Sequence, residues 1–275
     1  MSRNDIERTG AHASQEAPPE VLQGLSFVAP TELVDLPSKG SYPEGHPLHG
    51  KETIEIRFMT AKDEDILTNQ SLLKKGVAIE RFLKNVIIDK NVNTDHLYIG
   101  DRNAILIAAR ISGYGASYET KVNCPHCGEV NRVNFDLTSP QISEPKIDEK
   151  YNMVVEEGNY FVTTPLSKLK IGLRILTGKD ENYLTKRLTD KKTKDLANVT
   201  EQFRLMISSV QGDSSRKTID YYVENMPTQD STYLRAAYAM INPSVRIVDD
   251  FECRSCGYEQ ELEVPFGADF FWPNL

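Results

Sequence analysis

The chain has 275 residues, with 32 Lys and Arg against 40 Asp and Glu, a formal charge of −8, and 39% hydrophobic residues. That length suits one large domain or two small ones, and the apolar content is too high for a chain disordered throughout. The longest nearly apolar run, Ala104 to Ala109, falls far short of the ~20 residues that a membrane span needs. The charged first 25 residues lack the apolar centre of a secretory leader, so the protein is expected to stay in the compartment that makes it. An acidic chain exerts no general pull on a polyanion, which disfavours nucleic acid as a partner.

Residues 1–26 hold few bulky apolar side chains and no periodicity, and read as a flexible N-terminal tail. Pro30, Pro37, Gly40, Pro43, Gly45, Pro47 and Gly50 then punctuate turns and short extended segments. From Thr53 to Phe58, Ile54, Ile56 and Phe58 alternate with Glu55 and Arg57, the period of a half-buried strand. Thr60 and Asp63 form a capping box for a helix running to about Asn69. Beyond Gly76, the spacing of Ile79, Phe82, Leu83, Val86 and Ile87 predicts a packing helix. A core helix is predicted over residues 101–112, capped by Asp101 and ended by Gly113.

The polar stretch from Thr138 to Lys150 reads as a linker, and Tyr160–Thr164 and Leu169–Leu176 as strands. Two later helical faces are expected, one at Phe203, Met206, Ile207 and Val210 and one at Leu234, Ala237, Tyr238 and Ile241. Residues 139–244 carry 15 Lys and Arg against 14 Asp and Glu, so the acidity belongs to the flanks.

All four cysteines lie in two C-x-x-C-G motifs, Cys124-Pro-His-Cys127-Gly128 and Cys253-Arg-Ser-Cys256-Gly257, each between strand-like sequences. Two strands meeting at such a turn make a zinc knuckle, and two knuckles supply four thiolates for one tetrahedral ion. Zinc is the expected metal, with iron the chemical alternative for the same ligands. Cys-Pro-His-Cys alone also fits an oxidising thioredoxin-like active site, but redox chemistry gives no reason for a second matched motif. Four thiolates leave no open position for substrate, so the metal is expected to be structural and the protein not an enzyme. No P-loop, dinucleotide fingerprint or nucleophile elbow occurs, and no small-molecule substrate is expected. The fold class is therefore α+β: a zinc ribbon from two distant knuckles, a helical core block and a mixed, mainly helical insertion. The expected divisions are residues 1–26, a discontinuous core of 27–138 plus 245–275, and an insertion of 139–244.

The stretch from Pro30-Thr-Glu-Leu-Val-Asp-Leu-Pro-Ser-Lys-Gly40 through Tyr42-Pro-Glu-Gly-His-Pro-Leu48 to Met59-Thr-Ala-Lys-Asp-Glu-Asp-Ile-Leu67 resembles the T-even-type baseplate protein family of contractile-tailed bacteriophages. Ser71–Gly76, Ile111–Gly115 and Phe270–Pro273 are similar as well. The resemblance implies a late viral protein of the baseplate hub region, either a hub subunit or a hub assembly protein. Its partners would be other phage tail and baseplate proteins, and its places the host cytoplasm during assembly and the tail baseplate of the virion. It supplies no catalytic residues. The rigid proline turns from Pro30 to Gly50 lose little entropy on being fixed, which makes Tyr42, Pro43, His46, Pro47 and His49 candidate partner-binding residues. The bland alternative for His46 and His49 is a turn whose imidazoles bond local backbone. Two rival functions are a nucleic-acid-binding zinc-ribbon protein of viral origin and a hub assembly chaperone not retained in the virion. Glu259, Glu261 and Glu263 after the second knuckle speak against the first.

Overall fold

Alternating Ile54 and Ile56 do form a strand, and its partner lies upstream: β1 (Thr31–Asp35) pairs antiparallel with β2 (Thr53–Arg57), Val34 opposite Ile54. The computed structural model describes residues 29–156, 158–189, 198–264 and 268–271; the expected N-terminal tail lies outside them. Asp63 closes the start of α1 (Ala61–Thr68) by accepting from the Thr60 amide at 2.9 Å and the Thr60 hydroxyl at 2.8 Å. Its carboxylate also takes a bidentate fork from Arg57 at 2.6 and 2.8 Å and an amide from Asn85 at 2.6 Å. Burial alone would raise the Asp63 pKa, but these donors hold it below the usual carboxylate value. After α2 (Gln70–Lys74), α3 (Ala78–Val86) buries Phe82, Leu83 and Val86, the face its periodicity specified.

The core helix α4 (Ile99–Tyr114) begins two residues earlier than expected, and Asp101 is not its cap. Asp101 sits in the first turn, fully buried, and reaches outward to the β1–β2 connection. It accepts the Ser38 amide at 2.9 Å and the Tyr42 hydroxyl at 2.7 Å. Gly113 does not end the helix either; Gly115, at φ +83°, does. Gly113 instead allows close packing, since a Cβ there would meet Met59 Sδ at 2.8 Å.

The first knuckle hairpin follows, β3 (Ser117–Asn123) against β4 (Val130–Asp136). The stretch read as a linker contains a strand, β5 (Gln141–Ser143). The region expected to be mixed and mainly helical contains, among its described residues, four α-helices and a sheet. Its β6 (Val154–Glu156), β7 (Asn159–Thr163), β8 (Lys170–Leu173) and β9 (Ile207–Val210) form one antiparallel sheet in that order, with α5 (Gly178–Thr189) and α6 (Asn198–Met206) between β8 and β9. The helical face expected through Val210 therefore stops at Met206. Ile207 and Val210 pair with Leu173 and Ile171, and filling the open edge of β8 overrides the local helical period. After α7 (Arg216–Asn225), α8 (Thr228–Ile241) buries Leu234, Ala237 and Ile241 as its spacing predicts.

Next, β10 (Ser244–Arg246) pairs with β5. The second knuckle hairpin is β11 (Val248–Glu252) with β12 (Glu259–Glu263). A short 3₁₀ turn, Ala268–Phe271, then places Phe270 5.2 Å from Tyr118 and Phe271 5.0 Å from Phe82, ring centre to ring centre. The described residues thus form an α+β fold with eight helices and several small antiparallel sheets around one large apolar core. A second, smaller cluster of Cys124, Phe251 and Cys253 lies under the knuckles. No helix among the described residues is long and apolar enough to cross a membrane.

Candidate metal centre

Each knuckle is a strand, a turn and a returning strand, and the two are built alike. In the first, the Cys124 amide donates to Glu129 O and the Gly128 amide to Cys124 O, both at 2.9 Å. In the second, the Cys253 amide donates to Tyr258 O and the Gly257 amide to Cys253 O, again at 2.9 Å. Gly128 and Gly257 stand at φ +76° and +67°, a backbone that side-chain-bearing residues rarely adopt, which is why glycine follows each second cysteine.

The hairpins face each other and bring all four sulfur atoms within 4.8 Å of one another. Cys124 Sγ lies 3.8 Å from Cys256 Sγ, and Cys127 Sγ lies 3.7 Å from Cys253 Sγ. A disulfide needs about 2.0 Å, so neither pair is bonded. Four thiolates placed about 2.3 Å from a tetrahedral ion stand about 3.8 Å apart, the spacing of these two pairs. The donor set therefore fits a zinc- or iron-sized ion. Cys124 and Cys253 are buried, whereas Cys127 and Cys256 face solvent.

Asn131 ties the hairpins together. Its Nδ2 donates to Cys253 Sγ at 3.5 Å, and its Oδ1 accepts the Arg254 amide at 3.1 Å. Sequence reading missed this residue. The available signal was β4 itself, whose alternation puts polar Asn131 on the inward face with Val133 and Phe135. Burial opposes ionisation of Cys253, but the amides of Cys256 and Ser255 and the Asn131 side chain outweigh it and lower this thiol to about 6. At Cys256 the Tyr258 amide favours the thiolate, yet burial and hydrogen bonding with the other three thiols push it up to about 12. One thiol thus ionises readily while Cys256 resists, and a divalent cation bound here would favour the thiolate form.

The proline-rich turns hold the other candidate residues differently. Tyr42 is buried and stacked between His46 (4.2 Å) and Tyr98 (4.1 Å). His49 Nδ1 lies 2.6 Å from Tyr42 O, and His46 Nδ1 accepts the Leu48 amide at 3.2 Å. Pro43 and His49 are exposed, and His46 and Pro47 half-buried. The segment forms one wall of a cleft of about 290 Å³ whose other wall includes Tyr160, Arg174 and Thr177. On the second hairpin, Asp249, Asp250, Glu252, Glu259, Glu261 and Glu263 are all exposed, an acidic surface beside the knuckle.

The family described as T4 bacteriophage base plate protein matches residues 30–272, most of the chain. No curated protein and no solved structure matches it.

Proposed function

The chain belongs to the T4 bacteriophage base plate protein family, and from that premise we propose that it is a structural component or assembly factor of the hub region of a contractile phage tail baseplate. The family match over residues 30–272 carries this reading. The protein acts by contact with other tail proteins and without catalysis. Its four cysteines hold a structural zinc ion, whose role is to fasten residues near 124 to residues near 253. Closed four-thiolate coordination supports the absence of catalysis at that ion, because no ligand position is left for water or substrate. Pro43, His46, Pro47 and His49, with Tyr42 as their internal anchor, form the contact surface for a baseplate partner.

Nucleic-acid binding at the ribbon is the weaker reading, since six exposed carboxylates on the second hairpin repel phosphate. The experiment is mass spectrometry of purified virions combined with alanine substitution at Pro43, His46 and His49. Retention in the particle, with tail assembly lost in the variants, is the expected result. Absence from the particle moves the protein to the class of assembly chaperones, and normal assembly by the variants removes the proposed contact surface.

A further inference from the structure

The two cysteine motifs are the ends of a longer correspondence. Asp101 and Cys124 are 23 positions apart, and so are Asp230 and Cys253. Asp101 is the third residue of α4, and Asp230 the third residue of α8; both are fully buried. Both hold the same kind of turn. Asp101 accepts the amide of Ser38 at 2.9 Å, and Asp230 accepts that of Ser167 at 3.0 Å. The turns read Val34-Asp-Leu-Pro-Ser-Lys39 and Val162-Thr-Thr-Pro-Leu-Ser-Lys168, and Lys39 and Lys168 both have positive φ, at 49° and 57°.

After each hairpin comes Arg-x-x-Thr-x-x-Asp: Arg57, Thr60 and Asp63, then Arg174, Thr177 and Asp180. In both, the arginine forks onto the aspartate, and the aspartate accepts the threonine amide and hydroxyl. In both, a nine-residue helix, α3 or α6, leads directly into chain that pairs with the hairpin, Ile87 with Ile56 and Ile207 with Leu173. The knuckle hairpins share one register, Asn123 opposite Val130 and Glu252 opposite Glu259.

We infer that the chain is a tandem duplication, residues 30–143 and 159–272, whose two modules are related by a pseudo-two-fold axis through the cysteine cluster. Exchanging the modules turns the Cys124–Cys256 contact into the Cys253–Cys127 contact, and these are the two observed, at 3.8 and 3.7 Å. The axis also explains a reciprocal exchange of end segments. The first module's last strand, β5, pairs with β10 of the second. The second module's Phe270 and Phe271 pack on Tyr118 and Phe82 of the first, with Arg110 Nε donating to Phe270 O at 3.2 Å.

The modules differ by compensating insertions. Lys39 and Arg57 are 18 positions apart but Lys168 and Arg174 only six, and the extra chain in the first module contains the whole candidate contact segment from Tyr42 to His49. The second module regains the length between Asp180 and Asp230, mostly in α7. The duplication divides the chain into two modules in succession, in place of a ribbon domain interrupted by an insertion. The metal then joins two equivalent halves. That last point rests on the zinc reading above; the duplication does not.

The test is a 275-residue chain in which residues 30–143 and 159–272 exchange places while 1–29, 144–158 and 273–275 stay where they are. A two-fold axis makes the two inter-module gaps equal, so the 15-residue connector 144–158 must serve in either order. The exchanged chain is expected to be monomeric, to carry the native metal content, and to melt within about 5 °C of the native chain, a shift of roughly 3 kcal/mol or less by the usual conversion for a chain of this size. A second variant doubles the connector. Folding only with the doubled connector shows that the gaps are unequal and overturns the axis; failure of both variants shows that the modules are not interchangeable and overturns the duplication. An exchanged chain that folds while neither chain holds metal retires the zinc reading and leaves the duplication standing.

Discussion

In the first half of the chain Asp101 takes the Ser38 amide and the Tyr42 hydroxyl, while in the second Asp230 takes the amides of Leu166 and Ser167. The frame is the same: a buried carboxylate in the first turn of a core helix holds the Ser-Lys turn of a hairpin. What differs is the third group. Where the second half closes on its own backbone, the first uses Tyr42, which belongs to the longer proline-rich connection and stacks between His46 and Tyr98. The frame of the second half closes without such a connection. A second difference lies at the helix starts. Asp63 is fully shielded and bonded by Asn85 as well as Arg57, whereas Arg174 beside Asp180 is 38% exposed.

The largest expected effect falls on the cysteines and tests whether the halves are equivalent. Cys124→Ser and Cys253→Ser should each abolish metal retention and lower the melting temperature by more than about 10 °C, equally within error, because a structural four-thiolate site contributes folding free energy directly. Elemental analysis and calorimetry measure this; a large loss in one half and none in the other breaks the equivalence. Next come the helix starts, where the halves should differ. Asp63→Ala leaves a shielded Arg57 without its partner and should cost about 3 kcal/mol. Asp180→Ala, whose arginine is 38% exposed, should cost about 1 kcal/mol. Equal costs by urea melts would mean that burial at this position does not govern the pair.

The turn-holding carboxylates come third. Asp230→Ala strands two amides and should cost about 2 kcal/mol. Tyr42→Phe removes the Asp101 contact that the second half lacks and also strands the Tyr98 amide, which donates to the Tyr42 hydroxyl at 3.0 Å; it should likewise cost about 2 kcal/mol, measured in the same melts. The smallest effect is on pH dependence, and there the carboxylates act in opposite directions. Asp63 and Asp180 are held below the usual aspartate value of 3.8, so their contribution is complete above about pH 4 and is lost as pH falls through their lowered values. At Asp101 burial outweighs the donors from Ser38 and Tyr42 and raises the pKa, so its contribution declines as pH rises above 3.8 through its folded value. Urea melts from pH 3 to 7 should show Asp63→Asn flattening the acid limb and Asp101→Asn flattening the limb above pH 4. The reverse assignment would contradict the burial argument.

Local signals carried much of the fold. The capping box at Thr60 and Asp63, the packing face of α3, the face of α8 and both knuckle hairpins are written within a few residues of chain, and each lies where its spacing placed it. Long-range choices were not legible. Residues 207–210 carry a helical period and become a strand because β8 offers an edge. Asp101 reads as a helix cap until Ser38, 63 positions away, is found on its carboxylate. Asn131 shows only as a polar residue on an inward face. The correspondence between the halves has no fixed period, because insertions on opposite sides of the matched helices shift the spacing from 117 positions at Asp63 and Asp180 to 129 at Asp101 and Asp230. The cysteine cluster was the most legible feature, since four thiolates at C-x-x-C-G spacing state their own chemistry.

That cluster carries the central claim, and it can be tested on the full-length protein without a variant. The measurement is metal content by elemental analysis of the purified chain, paired with thermal melts before and after a strong chelator. One zinc per chain is predicted, with chelation lowering the melting temperature by more than about 10 °C and zinc restoring it. A chain that holds no metal and melts at the same temperature with or without chelator would contradict the account.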